Sequence, residues 1–99
     1  MLKYVISVFT ILIFNFSVFA DQGISDKEIK IGMHTDISGP VSSFGKYSVE
    51  GVKMRMDEIN ENGGIHGRKL VLFAEDHQYQ VPRAVQAANK LINKDKIFL

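Results

Sequence analysis

The sequence predicts an α/β chain in the order β-α-β-α-β, preceded by an apolar segment of twenty residues. Two observations support this prediction. Apolar runs of strand length alternate with longer stretches in which apolar residues recur at helical spacing, and polar, glycine-containing turns separate them. Strands that alternate with helices in this way form right-handed βαβ units, so we expect a parallel sheet.

Residues 1–20 have the three parts of a secretory signal peptide. One basic residue near the N-terminus is followed by an apolar run, and modest side chains precede Asp21. The alternative is an uncleaved membrane anchor, which needs about 20 apolar residues, but Asn15 and Ser17 interrupt this run. The pattern predicts a signal peptide over 1–20, cleaved between Ala20 and Asp21, and export of the remaining chain.

The first predicted strand is Glu28–His34. Its residues Ile29, Ile31 and Met33 alternate with other residues and therefore share one face. A loop rich in Gly, Pro, Ser and Asp follows over 35–43, at the carboxyl end of the strand.

The next segment, Phe44–Asn60, changes to helical spacing. Its main apolar and small stripe consists of Gly45, Ser48, Val49, Val52, Met56 and Ile59. A second stripe of Tyr47, Gly51 and Met54 indicates a helix that is covered on two sides. Asn62-Gly63-Gly64 ends the helix, because glycine readily adopts the left-handed conformation of a helix cap.

The second half of the chain repeats the strand–helix order. Lys69–Ala74 is a nearly continuous apolar run, as expected for a strand covered on both faces. Pro82 stands in the first turn of the next helix, where its missing N–H is tolerated. The apolar face of that helix is predicted to be Ala84, Val85, Ala88, Leu91 and Ile92. A turn at 93–95 follows, and Ile97–Leu99 opens a third strand. Because a three-stranded sheet leaves open edges, we expect the N-terminal part of a longer protein.

The composition excludes several classes of function. Residues 21–99 carry 11 basic and 11 acidic side chains, so this part has no basic excess to hold nucleic acid. The sequence contains no cysteine, which excludes a disulfide framework, a cysteine metal site and a thiol nucleophile.

Ligands of open parallel sheets bind beyond the carboxyl ends of the strands. Two predicted loops lie there, 34–44 and 75–80. From the first loop we select Ser38, Gly39, Pro40 and Phe44 as candidate ligand-binding residues, and from the second Asp76 and His77. Free N–H groups where the first loop enters the helix would attract an anion such as a carboxylate. The alternative is that Ser38-Gly39-Pro40 is an ordinary turn and that Ser42 or Ser43 caps the helix.

No other set of residues has the spacing of a known chemical motif. His34, Asp36, Asp76 and His77 follow two adjacent strands, but they lack a metal-binding spacing. Ser42 lacks the G-x-S-x-G context of a nucleophile. Gly63–Gly67 follows a helix rather than a strand, so it is predicted to be a turn and not a phosphate loop. We therefore predict no catalytic residue, no metal and no cofactor.

Several short motifs, taken in order, resemble the opening of one known family over nearly all of residues 28–99. They are Ile29-Lys30-Ile31-Gly32, Ser38-Gly39-Pro40-Val41 with Phe44-Gly45, Gly51-Val52, Asp57-Glu58-Ile59-Asn60, Asn62-Gly63-Gly64-Ile65 with Gly67-Arg68-Lys69-Leu70, Glu75-Asp76, and Ala84–Ile92. In this order and spacing the chain resembles the leucine and branched-chain amino-acid substrate-binding proteins of ABC transporters, which have the type I periplasmic binding protein fold.

The resemblance implies a two-lobed protein that closes over a small ligand. Residues 21–99 would form part of a Rossmann-like N-terminal lobe. Ser38, Gly39 and Pro40 would line the cleft, and Phe44 would pack on the ligand. The groups that hold the carboxylate and ammonium of the ligand would lie beyond Leu99.

The resemblance also implies a function without covalent chemistry. A periplasmic, soluble binding protein would deliver an amino acid to a permease in the membrane. The chain departs from the leucine binders at 34–37 and 76–79, which leaves amides and similar small polar molecules open as ligands. Two alternatives remain: the ligand-binding domain of a membrane sensor with the same fold, and an extracytoplasmic hydrolase that uses the His and Asp residues of the loops.

Overall fold

A computed structural model describes residues 21–99 of the protein. The predicted signal peptide and its cleavage site lie outside the described residues. Within 21–99, neither helix combines the length and the apolar character that a membrane span requires.

Two parallel strands form the centre of the fold. β1, Glu28–Thr35, pairs with β2, Lys69–Asp76, so that Glu28 lies opposite Lys69 and Thr35 lies opposite Asp76. Both predicted strands are confirmed, but β2 is longer than predicted. Glu75 and Asp76, which we placed in a loop, belong to the strand, because β1 continues far enough to pair with them.

The first helix, α1, is Ser42–Glu61, and it packs against one face of β2. Met56 is buried in this contact. Asn60 adds a polar anchor: its side-chain amide donates to the carbonyl of Leu70 (2.9 Å) and accepts from the Leu70 N–H (2.8 Å). These two bonds satisfy backbone groups of β2 that β1 does not reach.

The prediction that α1 is covered on two sides is wrong for the described residues. Tyr47 and Met54, from the second stripe, are each 73% exposed. The helix has a single packed layer beneath it, the sheet, and the second stripe faces away from that layer. Val52 of the main stripe is also partly exposed.

The second helix, α2, is Val81–Asn89, with Pro82 in its first turn as predicted. It continues into one π-helical turn, Lys90–Lys94, which replaces the simple turn predicted at 93–95. Lys90 bridges the carboxylates of Glu75 and Asp95, and this exposed network ties the end of the helix to β2.

The α2 segment packs against the opposite face of the sheet from α1. Leu91 is buried above Gly32 of β1, where any larger side chain on Gly32 would meet it. Ala87 is buried beside it, whereas Val85 and Ile92, which we assigned to the apolar face, are half exposed. Ala87 and Leu91 are four residues apart and share the face that packs on the sheet, so Val85 and Ile92 are turned away from it. Helices lie on both faces of the sheet, as predicted for β2, but every residue of β2 keeps some exposure.

The third apolar run lies on the free side of β1. The Phe98 N–H donates to the carbonyl of Lys30 (2.8 Å), and the Gly32 N–H donates to the carbonyl of Leu99 (2.7 Å). These β1 residues alternate with those that bond to β2, so the third run extends the sheet on the other edge. Two bonds do not make a third regular strand, and the described residues contain β1 and β2 alone as named strands.

Two glycines of α1 give a matched test of this packing. A Cβ on Gly45 would overlap the carbonyl of Asp36, whereas a Cβ on Gly51 would meet nothing. We expect Gly45→Ala to destabilise the chain by up to ~3 kcal/mol, the upper end of the usual cost of overpacking. The control Gly51→Ala should stabilise it by ~1 kcal/mol through helix propensity. Urea unfolding followed by circular dichroism measures both, and equal effects would contradict the close approach at Gly45.

Candidate functional site

Two loops meet at the carboxyl edge of the sheet. The first loop, residues 36–41, connects β1 to α1, and the second loop, residues 77–80, connects β2 to α2. The parallel pairing places their starting points side by side, since Thr35 and Asp76 are opposite each other. All six candidate ligand-binding residues therefore lie at this edge, in the two loops, in the last position of β2 or in the first turn of α1.

A buried aspartate organises the first loop. The side chain of Asp36 accepts from the Gly39 N–H (2.5 Å) and from the Val41 N–H (2.8 Å), and the residue is 1% exposed. With these two bonds, the Asp36 carboxylate holds the backbone of the loop in place at the start of α1. The predicted cap at Ser42 or Ser43 is wrong, because α1 begins after Val41 without a side-chain cap.

This arrangement also changes the predicted anion site. The sequence predicted free N–H groups at the entry to α1 that would attract a ligand carboxylate. In the structure, the N–H groups of Gly39 and Val41 at this entry are bound to the carboxylate of Asp36, so the protein supplies its own anion to these two donors. Gly39 remains necessary for another reason: a Cβ at this position would lie 2.7 Å from the Asp36 carboxylate and from the Gln78 carbonyl.

A second aspartate joins the two loops. Asp76 accepts from the N–H groups of Ile37 and Gln78, at 2.9 Å each, and from the hydroxyl of Ser38 at 2.5 Å. The Ser38 hydroxyl, followed by the Ile37 N–H, lowers the pKa of Asp76 to about 2. The carboxylate is therefore ionised at neutral pH. The side chain of Gln78 completes the connection by donating to the Ser38 hydroxyl oxygen (3.0 Å).

The second loop is a tight turn with two residues in the left-handed region. Gln78 has φ 52° and Tyr79 has φ 60°, and the Gln80 N–H donates to the carbonyl of His77 (3.0 Å). Non-glycine residues adopt this conformation at a cost, so surrounding contacts must hold it. The Gln78 N–H bond to Asp76 and the Tyr79 N–H bond to Nδ1 of His77 (2.9 Å) are such contacts.

Apolar side chains remain exposed around these two rigid loops. Phe44 in the first turn of α1 is 75% exposed, and Tyr79 in the second loop is 68% exposed. A shallow groove of about 360 Å³ beside Tyr79 is lined by His77, Tyr79, Gln80, Val81 and Ala84. Exposed aromatic rings on a fixed backbone are suited to cover the apolar part of a ligand.

The residues considered for a metal site are used in other ways. The rings of His34 and His77 meet edge to face, with centroids 5.4 Å apart. The carboxylates of Asp36 and Asp76 bind N–H and O–H donors instead of pointing at this pair. Within residues 21–99, no three or more His, Asp or Glu side chains are placed to hold a metal ion.

Sequence reasoning missed the organising roles of Asp36 and Gln78 and the exposure of Tyr79. One signal was available: aspartate followed three residues later by glycine, as in Asp36–Gly39, is a common pattern of a type I β-turn. No local signal identified the contact between Gln78 and Ser38, because the two residues are forty positions apart.

Comparison with known proteins finds one family. A family model described as periplasmic binding protein matches residues 28–99. The Leu/Ile/Val-binding protein BraC3 of Rhizobium johnstonii is 38% identical over 65 residues, which is 66% of this chain and 18% of that protein. The leucine-specific-binding protein of Salmonella typhimurium is 36% identical over 72 residues, 73% of this chain and 20% of that protein.

Solved structures of substrate-binding proteins also match this chain in fold and in sequence. A fatty acid ABC transporter substrate-binding protein from Thermomonospora curvata matches with a TM-score of 0.72 and 33% identity, over 74% of this chain and 19% of the other. A branched-chain amino acid transporter substrate-binding protein from Streptococcus pneumoniae, in complex with isoleucine, matches with a TM-score of 0.69 and 30% identity, over 72% of this chain and 20% of the other. The chain spans about a fifth of the length of these proteins.

The depressed pKa of Asp76 predicts a pH-dependent contribution to stability. A carboxylate with a folded pKa of about 2 and an ordinary value of 3.8 stabilises the fold above pH 4, and this contribution is lost as the pH falls from 4 toward 2. Asp76→Asn should therefore lower the unfolding temperature at pH 7, and the difference from wild type should shrink as the pH falls through this range. The exposed Asp57→Asn is the control, and calorimetric scans from pH 7 to pH 2.5 give both differences. A difference for Asp76→Asn that does not change with pH would contradict the assignment.

Proposed function

The chain belongs to the periplasmic binding protein family, and we propose that it is the first part of an extracytoplasmic solute-binding protein of an ABC importer. In this proposal, residues 21–99 are part of the N-terminal lobe, and residues 1–20 are the export signal. The mature protein works in the periplasm and transfers its ligand to a permease in the membrane. The names of the relatives and their sequence identity of 30–38% support this role.

The proposed ligand is a small molecule with an apolar part and a polar head, an amino acid of the branched-chain type or a related amide. The observation that carries this proposal is the pairing of exposed Phe44 and Tyr79 with two loops that Asp36 and Asp76 hold in place. An aromatic wall can bury an apolar side chain, and the polar loop atoms can orient the head group. Ser38, Gly39 and Pro40 line the proposed cleft. Asp76 holds this loop through its hydrogen bonds to Ile37 and Ser38.

Binding by such a site needs no covalent step. The two loops are fixed by their own hydrogen bonds before a ligand arrives, which lowers the ordering cost of binding. Closure of a second lobe over this surface would exclude water and complete the contacts. Asp36, Asp76 and Nδ1 of His77 accept hydrogen bonds within the loops, so these groups hold the loops in place instead of serving as the base of a hydrolase. The proposal is therefore a binding protein and not an enzyme.

A thermal-shift screen of the complete protein tests the ligand class. The twenty L-amino acids, acetamide and urea are added separately to the protein, and the unfolding temperature is measured. A ligand that binds the folded state alone raises this temperature, and the increase grows with the logarithm of its concentration once that concentration exceeds its Kd. An increase with leucine, isoleucine, valine or an amide is expected, whereas no increase with any of these compounds would overturn the proposed ligand class.

The role of Phe44 can be tested with a control on the same helix. Phe44→Ala should weaken the binding of the compound that gives the largest thermal shift by ~1–3 kcal/mol, because the ring no longer buries ligand surface. Met54→Ala removes a side chain of nearly equal exposure, ten residues further along α1, and should leave affinity unchanged. Isothermal titration calorimetry measures both variants. Equal affinity of Phe44→Ala and wild type would exclude Phe44 from the site.

A further inference from the structure

We propose that the first loop offers the ligand a hydrogen-bond acceptor, the hydroxyl oxygen of Ser38, and that Asp76 is the positioning residue that fixes the direction of this hydroxyl. The inference rests on the proposed function and specifies which polar group of the ligand, its N–H donor or its carboxylate, faces this loop. It assigns an N–H donor of the ligand, from an ammonium or an amide group, to the side of the cleft that Ser38 lines, as a contact additional to the groups that the family resemblance places beyond Leu99.

The hydrogen bonds of Ser38 determine whether its hydroxyl offers a donor or an acceptor to a ligand. Its O–H donates to Oδ2 of Asp76 at 2.5 Å, so the proton of the hydroxyl is directed into the protein. Its oxygen accepts from Nε2 of Gln78 at 3.0 Å. A serine oxygen has two acceptor positions, and one of them is left. Ser38 is exposed, and we take this remaining position as the one that a ligand donor would occupy.

The surrounding backbone offers few competing donors. The N–H groups of Ile37 and Gln78 donate to Asp76, and those of Gly39 and Val41 donate to Asp36. Pro40 has no N–H. The loop thus directs these donors inward to its own carboxylates, and a ligand meets an acceptor at Ser38. This is the reverse of the polarity that a free helix N-terminus would offer a ligand carboxylate.

The charge of Asp76 strengthens the assignment. The low pKa of its carboxyl group keeps a negative charge within one hydrogen bond of the Ser38 oxygen at neutral pH. A hydroxyl that donates to a carboxylate becomes a better acceptor, because hydrogen bonds in a chain polarise one another. An N–H donor, and above all a positively charged one, is the group that such an oxygen favours.

Three compounds distinguish a contact to the ammonium or amide group from a contact to the carboxylate. L-Leucine has an ammonium and a carboxylate, 4-methylpentanoate has the same side chain and carboxylate without the ammonium, and 4-methylpentanamide has amide N–H groups alone. Calorimetry with the complete protein gives the Kd of each probe for wild type, Ser38→Ala, Ser38→Thr and Asp76→Asn. Unfolding temperatures of the variants verify that each is folded at the measuring temperature.

If Ser38 contacts an N–H donor of the ligand, its replacement should reduce the affinity for the three compounds unequally. Ser38→Ala should raise the Kd of L-leucine about tenfold or more, as expected for a lost hydrogen bond to a charged group. The same substitution should change the Kd of 4-methylpentanoate less than twofold. Ser38→Thr keeps the hydroxyl and should retain most of the affinity for L-leucine. Asp76→Asn should resemble Ser38→Ala, because the amide no longer fixes the hydroxyl. A parallel loss for 4-methylpentanamide identifies an amide N–H as a suitable donor, and a loss for L-leucine alone identifies the ammonium.

Two results overturn the inference. If Ser38→Ala weakens L-leucine and 4-methylpentanoate by the same factor, Ser38 has a structural role or contacts the carboxylate pole. If it changes neither, Ser38 does not contact the ligand, while the binding function stands. Failure of every amino acid and amide to bind wild type would overturn the proposed ligand class and this inference together.

Discussion

The parallel register of β1 and β2 places Thr35 opposite Asp76, and the loops at the carboxyl edge depend on that alignment. Asp76 is the last residue of β2, so its carboxylate reaches the first residues after β1 and binds Ile37 and Ser38. A register shift by one residue would send this side chain to the other face of the sheet.

The two aspartates share one physical task at different depths. Asp36 is buried and closes the turn that leads into α1, while Asp76 lies nearer the surface and connects this turn to the next loop. Each carboxylate gathers backbone N–H groups that would otherwise be unsatisfied where a strand ends. The result is a pair of loops held by their own hydrogen bonds, with exposed aromatic rings beside them and with several of their backbone donors directed inward.

Local patterns predicted the elements well because each element follows a local period. The alternation in β1, the apolar run of β2, the small and apolar stripe of α1 and the position of Pro82 led to the correct order and topology. The errors occurred where neighbours decide the outcome. Tyr47 and Met54 are exposed because one layer alone packs on α1, and Ile92 is exposed because the sheet is contacted through Ala87 and Leu91. Neither effect is encoded within a window of a few residues.

By itself, the sequence determined the fold class, the family and the edge of the sheet at which the candidate residues lie. Periodicity, turn chemistry and the order of short motifs are local properties, and a parallel α/β topology follows from them. Tertiary structure alone decided what those residues do. Ser38 and Gln78 are forty positions apart, and only the pairing of the strands brings them to one carboxylate. Hydrogen bonds between distant loops set the polarity of the site, and no local pattern contains that information.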